Sequence, residues 1–316
     1  MDSNPLKRPL NPALAAWLQG FNELLRQLEL DGFVPTPKTA RDGLAKLTAG
    51  LTSRIPELAS VMNLSAESPA GSIPLRLYRA EPDQVCAPLV YLHGGGHMAG
   101  SIEVYDPICR KLASASGRIV VSVDYRLAPE HPYPSGLDDA EAVLRQLYAL
   151  FDAHSIAYEA RLALAGDSGG GAMTATLAHR LQDDPEIDIE QQILIYPSLD
   201  YTMQQASIDE NGQGYLLQAD RIGWYFDSYL QAGEDRRAVS PLYMEFTPAL
   251  PETLLVTAAW DPLRDEGLAY LERLARAGVV HRHLHFAEQM HAFLNMEDLT
   301  ARACDEFYRV AAGFLR

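Results

Sequence analysis

Ser168 lies in the run Gly166-Asp167-Ser168-Gly169-Gly170. A short apolar stretch, Leu162-Ala163-Leu164-Ala165, precedes it, and a helical pattern with Met173, Leu177 and Leu181 on one face follows. A strand, a sharp turn and a helix in that order lift a serine hydroxyl above the end of a sheet, where its Oγ is free to attack a carbonyl carbon. Glycines flank the serine because helix and strand there come too close for a Cβ. The N–H groups that open the helix carry partial positive charge and can face a developing oxyanion. The plainer alternative is a serine that only caps the helix.

A second run, His93-Gly94-Gly95-Gly96-His97, directly follows the apolar stretch Pro88-Leu89-Val90-Tyr91-Leu92. Small residues after a buried strand leave backbone N–H groups free to point into a cavity, as in the second half of an oxyanion hole. The run has neither the Lys and Ser/Thr of a phosphate-binding P-loop nor the spacing of a dinucleotide fingerprint, which argues against a phosphate cradle.

These two runs need a sheet to carry them. Arg118 to Asp124 and Leu254 to Ala259 read as further buried strands, and Val61 to Leu64 and Ile73 to Tyr78 as a hairpin turned by Ser-Pro-Ala-Gly. Before them, Asn11-Pro12 and Thr36-Pro37 are helix starts. Leu14, Leu18, Phe21 and Leu25, then Ala40, Leu44, Leu47 and Leu51, give two amphipathic helices ending near Pro56. Neither carries chemistry, so both are candidates to cover a site.

Together with Asp124-Tyr125-Arg126-Leu127-Ala128-Pro129-Glu130-His131-Pro132-Tyr133-Pro134, the two glycine-rich runs make the chain resemble the bacterial esterases of the hormone-sensitive lipase family. The resemblance runs from about Pro88 to the C-terminus and rests on three motifs in order. It implies an α/β-hydrolase fold, with a mostly parallel eight-stranded sheet flanked by helices and a helical cap. The implied division is cap helices in residues 1–56 and a catalytic domain in 57–316, with 199–238 inserted as the second part of the cap.

The resemblance also implies a triad. The family's acid precedes Pro-Leu-x-Asp-Glu after a late strand, which matches Asp261 before Pro262-Leu263-Arg264-Asp265-Glu266. Its base precedes Gly-Phe, which matches His291 before Ala292-Phe293. The order Ser168, Asp261, His291 is the one this fold uses. Ala in place of Gly at 292 strains the backbone if that position needs positive φ. From the residues alone, Asp265 and Glu266 compete as acid, and His93, His97, His131, His154 and His179 compete as base. Gly95, Gly96 and Gly169 are the expected oxyanion donors, and Trp224, Tyr225 and His97 candidate pocket residues. His281, His283 and His285 alternate along one strand, but no carboxylate or thiol partner is evident, so a polar outer face is favoured over a metal site. No metal or other cofactor is expected.

The composition narrows the partners. With 316 residues, 47% of them hydrophobic, the chain can bury a large core, and a net charge of −16 offers no footprint for nucleic acid or anionic lipid. Cys86, Cys109 and Cys304 have no metal or redox spacing. The sequence from Met1 to Pro9 has no apolar signal region, and no apolar run is long enough to span a membrane, which gives a cytoplasmic expectation. The expected activity is hydrolysis of short- to medium-chain acyl esters of small molecules. An acyltransferase is the alternative, as is a non-catalytic receptor like the plant gibberellin receptors, which characteristically lose the histidine that this chain keeps. A homodimer through an edge strand near His281 to Phe286 is a further possibility.

Overall fold

The computed structural model describes residues 6–316, so the first five residues of the expected N-terminal cap lie outside the described residues. Two helices, α1 (Pro12–Leu30) and α2 (Pro37–Leu51), start where the caps predict: the Asn11 side chain accepts from the N–H groups of Ala13 and Leu14, and Thr36 forms a reciprocal capping box with Thr39. The hairpin β1 (Ser60–Ser68) and β2 (Gly71–Arg79) follows. Then come β3 (Pro88–Leu92), α3 (Ile102–Ser116), β4 (Ile119–Val123), α4 (Ser135–Ala153), β5 (Leu162–Asp167), α5 (Gly169–Leu181) and β6 (Ile189–Ile195). Three short helices, α6 (Ala206–Asn211), α7 (Ala219–Tyr229) and α8 (Arg236–Val239), separate β6 from β7 (Glu252–Trp260). The chain ends with α9 (Arg264–Ala277), β8 (His281–Met290) and α10 (Glu297–Phe314).

The strands form one eight-stranded sheet in the order β1-β2-β4-β3-β5-β6-β7-β8. β2 runs antiparallel to both β1 and β4, and every pairing from β4 to β8 is parallel. Helices cover both faces, which is why the central strands are apolar without alternation. In β3, Leu89 and Tyr91 enter the core shared with α3 and α10, while Val90 and Leu92 enter the core shared with α4 and α5. Each such buried side chain contributes about 1.5–3 kcal/mol relative to exposure. This fixes the sheet firmly, and the loops at the carboxyl ends of β3, β5, β7 and β8 inherit its geometry.

β8 is an edge strand, but its last third is covered. The Arg8 and Asn11 N–H groups donate to the carbonyl oxygens of Ala287 and Glu288 at 3.0 and 2.9 Å. Leu14 and Leu18 of α1 pack beside them on Met290 and Met296. No described helix is long and apolar enough to cross a membrane.

Candidate active site

β5 ends at Asp167, and Ser168 turns the chain with φ 52° and ψ −119° before α5 begins at Gly169. A non-glycine residue in that region is strained, and it persists because its surroundings hold it. The Ser168 N–H donates to the Ile195 carbonyl at 2.9 Å, and the Ser168 carbonyl accepts from the Ser198 N–H at 3.1 Å. The flanking glycines are required sterically: a Cβ on Gly166 would collide with the Gly170 carbonyl, and one on Gly170 with the Leu92 carbonyl. Ser168 makes no capping hydrogen bond, so its hydroxyl is free for other work.

The glycine loop after β3 lies against this turn. Gly95, Gly96 and His97 all have positive φ (116°, 63° and 60°), which bends the chain so that its amides face the opening of α5. A Cβ built on Gly169 would sit 3.1 Å from the His97 nitrogen and 3.3 Å from that of Gly96. Among the described residues, the Gly95 and Gly96 N–H groups donate to nothing. Asp167 anchors the loop. Its Oδ1 accepts from the Gly94 N–H at 2.7 Å and the Tyr91 hydroxyl at 2.8 Å, and its Oδ2 accepts from the Tyr105 hydroxyl at 3.1 Å. Burial pushes this carboxyl up to about 6 although all three donors pull it down. The sequence suggests only a turn-stabilising role for Asp167. The signal for more was Tyr91, a hydroxyl inside an otherwise apolar strand that had to find a buried partner.

His291, at the end of β8, bridges the other two side chains. Its Nδ1 lies 2.8 Å from Asp261 Oδ2 and its Nε2 2.9 Å from Ser168 Oγ. Asp261 and His291 are buried, and Ser168 is partly exposed to the cavity. Asp261 Oδ1 also accepts from the Leu263 N–H at 2.8 Å, so the acid supports the turn into α9 with one oxygen and meets the imidazole with the other. Asp265, Glu266, His93 and His179 are engaged elsewhere. Asp265 pairs with Arg264 at 2.7 Å. Glu266 accepts from the Leu199 N–H at 2.6 Å, and burial raises its carboxyl well above the ordinary range. His93 Nδ1 donates to the Gly94 carbonyl between the rings of Tyr105 and Tyr125, and His179 spans the Glu245 carbonyl and the Tyr270 hydroxyl. Ala292 adopts φ 59° and ψ 26°, the left-handed conformation that its alanine disfavours.

A cavity of about 990 Å³ opens above Ser168. Gly95, Gly96, Gly169 and His291 form its floor, and Phe21, Leu25 and Leu28 of α1, Leu44 and Leu47 of α2, and Tyr225 of α7 its walls. Leu24 and Phe33 line it and are exposed, so it reaches solvent beside α1. Of the expected pocket residues, Tyr225 lines it with its ring over Gly96, and His97 lines it while stacking on Tyr229 at 3.8 Å. Burial lowers the His97 imidazole to about 3, so it acts as a neutral wall. Trp224 does not line the cavity. One step along α7 turns it away from Tyr225's face, and it carries the Arg221 guanidinium 5.1 Å above its ring. His283 Nε2 and His285 Nδ1 both meet Thr257 Oγ1 at 2.8 Å, and among the described residues no group of His, Cys, Asp and Glu side chains is arranged to hold a metal.

A family profile described as alpha/beta hydrolase fold matches residues 89–295. The chain is 33% identical to an ethyl acetate hydrolase of Pseudomonas putida over 93% of this chain and 95% of that one. It is 33% identical to a carboxylesterase of Mycobacterium tuberculosis over 91% and 93%. Among solved structures, a hyperthermophilic esterase from the archaeon Pyrobaculum calidifontis superposes with a TM-score of 0.86 at 31% identity, covering 98% of both chains.

Proposed function

The chain belongs to the α/β-hydrolase-fold family, in its hormone-sensitive-lipase-like branch, and is a carboxylic ester hydrolase; we propose that it works through Ser168, His291 and Asp261 by way of an acyl-enzyme. The observation that carries this reading is the unbroken relay from Asp261 through His291 to Ser168, at 2.8 and 2.9 Å, beside unpaired loop amides.

The chemistry follows from donor and acceptor roles. An ionised Asp261 oxygen only accepts, so it holds the His291 proton on Nδ1 and leaves Nε2 as the base facing Ser168 Oγ. Nε2 takes the hydroxyl proton as Oγ attacks the ester carbonyl, and Asp261 supports the imidazolium that forms. The tetrahedral oxyanion is received by the N–H groups of Gly95, Gly96 and Gly169. Collapse passes the proton from Nε2 to the departing alcohol, and a water activated by the same nitrogen releases the acid. In a serine hydrolase, loss of one such donor costs about 100- to 1000-fold in kcat, so the glycine loop supplies a large share of the rate.

In this reading, the described part of the N-terminal segment, residues 6–56, and the inserted residues 199–238 form a two-part cap over the rest of the catalytic domain of residues 57–316. Its support is that α1, α2 and α7 all wall the cavity and that Asn22 of α1 donates to the Gly214 carbonyl at 2.8 Å. The preferred substrates are small-molecule esters with acyl chains of roughly four to eight carbons, because one cavity has to hold both the acyl and the alcohol parts. Action in the cytoplasm fits the free Cys86, Cys109 and Cys304. A homodimer through β8 would pair the stretch before Ala287, beyond the backbone hydrogen bonds of Arg8 and Asn11. Acyl transfer is the second reading: the acyl-enzyme can be opened by an alcohol without any new residue.

Ser168→Ala tests the assignment. Its kcat is expected to fall about a millionfold with the fold intact, and the mass adduct that a phosphonate ester leaves on Ser168 is expected to vanish. Retention of most of the activity would place the nucleophile elsewhere.

A further inference from the structure

Asp261's carboxylate makes one bond to its own turn and one to His291, so its position depends on the backbone of the loop that carries it. That loop is held from outside the sheet by α6. Asn211, fully buried at the end of α6, donates from Nδ2 to the Asp261 carbonyl at 3.0 Å and to the Ala259 carbonyl at 3.3 Å. Ser207, also fully buried on α6, donates to the Pro262 carbonyl at 2.6 Å and accepts from the Asp265 N–H at 3.0 Å. The orientation of Asn211 is forced. The two carbonyls only accept, so the amide nitrogen faces them, and Lys7 Nζ, which only donates, meets Oδ1 at 2.8 Å.

We propose that Asn211, assisted by Ser207, is a positioning residue for the acid, so that α6 of the inserted segment sets where Asp261 meets His291. The proposal rests on the assignment of Asp261 and His291 above. It adds that a segment supplying walls to the substrate cavity also aligns the catalytic relay. Lys7 draws the segment before α1 into the same arrangement: it pairs with Glu210 at 2.5 Å, and Glu210 pairs with Arg264 at 2.6 Å. α6 is thus attached to both ends of the acid loop.

Asn211→Leu removes the donors while keeping the number and branching of the side-chain heavy atoms. It strands few polar groups, because the Asp261 carbonyl keeps the Arg264 N–H at 3.2 Å, the Ala259 carbonyl keeps Arg264 Nη1 at 3.2 Å, and Lys7 keeps Glu210. Misplacing a reacting group by about an ångström costs on the order of 100-fold. Asn211→Leu is therefore expected to lower kcat on a chromogenic butyrate ester about 10- to 100-fold, with KM within about threefold.

The deciding measurement is a double-mutant cycle with Asp261→Ala. If Asn211 acts through the acid, adding Asn211→Leu to Asp261→Ala changes kcat by less than about twofold. An equal fall in both backgrounds, or a folded Asn211→Leu with wild-type kcat, overturns the proposal. Should thermal unfolding show that Asn211→Leu is not folded at the assay temperature, Ser207→Ala enters the same cycle. A loss in kcat that disappears beside Asp261→Ala supports the proposal, and a loss that persists, or no loss, overturns it. Wild-type activity in Asp261→Ala alone would instead overturn the assignment of the acid, and the proposal with it.

Discussion

Asp167→Asn separates what the buried carboxylate does for catalysis from what it costs in stability. Asp167 is 1% exposed, and burial holds its carboxyl at about 6, against an ordinary 3.8. A carboxyl raised on folding binds its proton more tightly in the folded chain. Its favourable contribution is therefore full below about pH 4 and is lost as pH rises to about 6. That difference is worth about 3 kcal/mol. The groups around the carboxyl are the hydroxyls of Tyr91 and Tyr105, the Gly94 N–H, the more distant Tyr125, Tyr196, Tyr308 and Cys109, and His291. In the asparagine variant, Oδ1 can still accept from Gly94 and Tyr91, and the new amide nitrogen faces Tyr105, whose hydroxyl can turn to accept.

The variant is therefore expected to be more stable than the wild type at pH 8, by up to about 3 kcal/mol, or about 5 °C in Tm for a chain of 316 residues. The advantage should shrink to nothing near pH 4. Activity should move the other way, with kcat falling up to about tenfold, because a neutral acceptor holds the Gly94 amide less firmly than a charged one. Thermal and denaturant unfolding of both proteins from pH 4 to 8 measures the difference, and subtraction removes groups that do not touch Asp167. A variant less stable than the wild type at pH 8, or a difference that does not change with pH, would refute the reasoning.

Ala292→Gly relieves an alanine held at φ 59°. The left-handed penalty of about 1–2 kcal/mol is partly offset by the extra freedom of unfolded glycine, about 0.5–1 kcal/mol. Urea unfolding should show a change between zero and about 1.5 kcal/mol of stabilisation, with kcat within about threefold because the His291 backbone is already in place; a clear loss of stability would mean that the methyl group packs more than it strains. In a series of chromogenic esters of increasing acyl length, kcat/KM should peak between roughly four and eight carbons. A peak at long chains would mean that the acyl group runs the length of the cavity and out beside α1.

The parts of the fold that were readable in the sequence are those fixed by local chemistry. Asn11 and Thr36 stand where α1 and α2 start, and the apolar run from Pro88 to Leu92 is β3 to the residue. At the elbow, Gly166 and Gly170 follow from steric need alone. The choice of Asp261 over Asp265 and Glu266, and of His291 over the other histidines, rests mainly on resemblance, since the local signals that separate them are weak. What separates them is tertiary: Glu266 is spent on the Leu199 amide and Asp265 on Arg264. Trp224 failed for a related reason, because an aromatic cluster on a helix does not reveal which of two adjacent rings faces the cavity until the helix is docked. Asn211 and Ser207 carried no signal, since polar side chains in or beside the run Asp209-Glu210-Asn211-Gly212 read as surface.

The two loops that build the site are fixed by different chemistry, and each choice follows from what the loop presents. The glycine loop offers a donor, the Gly94 N–H, so its anchor must accept. An ionised Asp167 accepts strongly enough to hold a backbone that has three consecutive positive-φ residues, at the expense of stability above pH 6. The acid loop offers acceptors, the Ala259 and Asp261 carbonyls, so its anchor must donate. A carboxylate at position 211 would face two carbonyl oxygens with nothing to give, and its charge would disfavour the ionised form of Asp261. A lysine there would bury a charge among groups that already hold Arg264. A neutral amide meets both requirements, and it leaves its oxygen for Lys7.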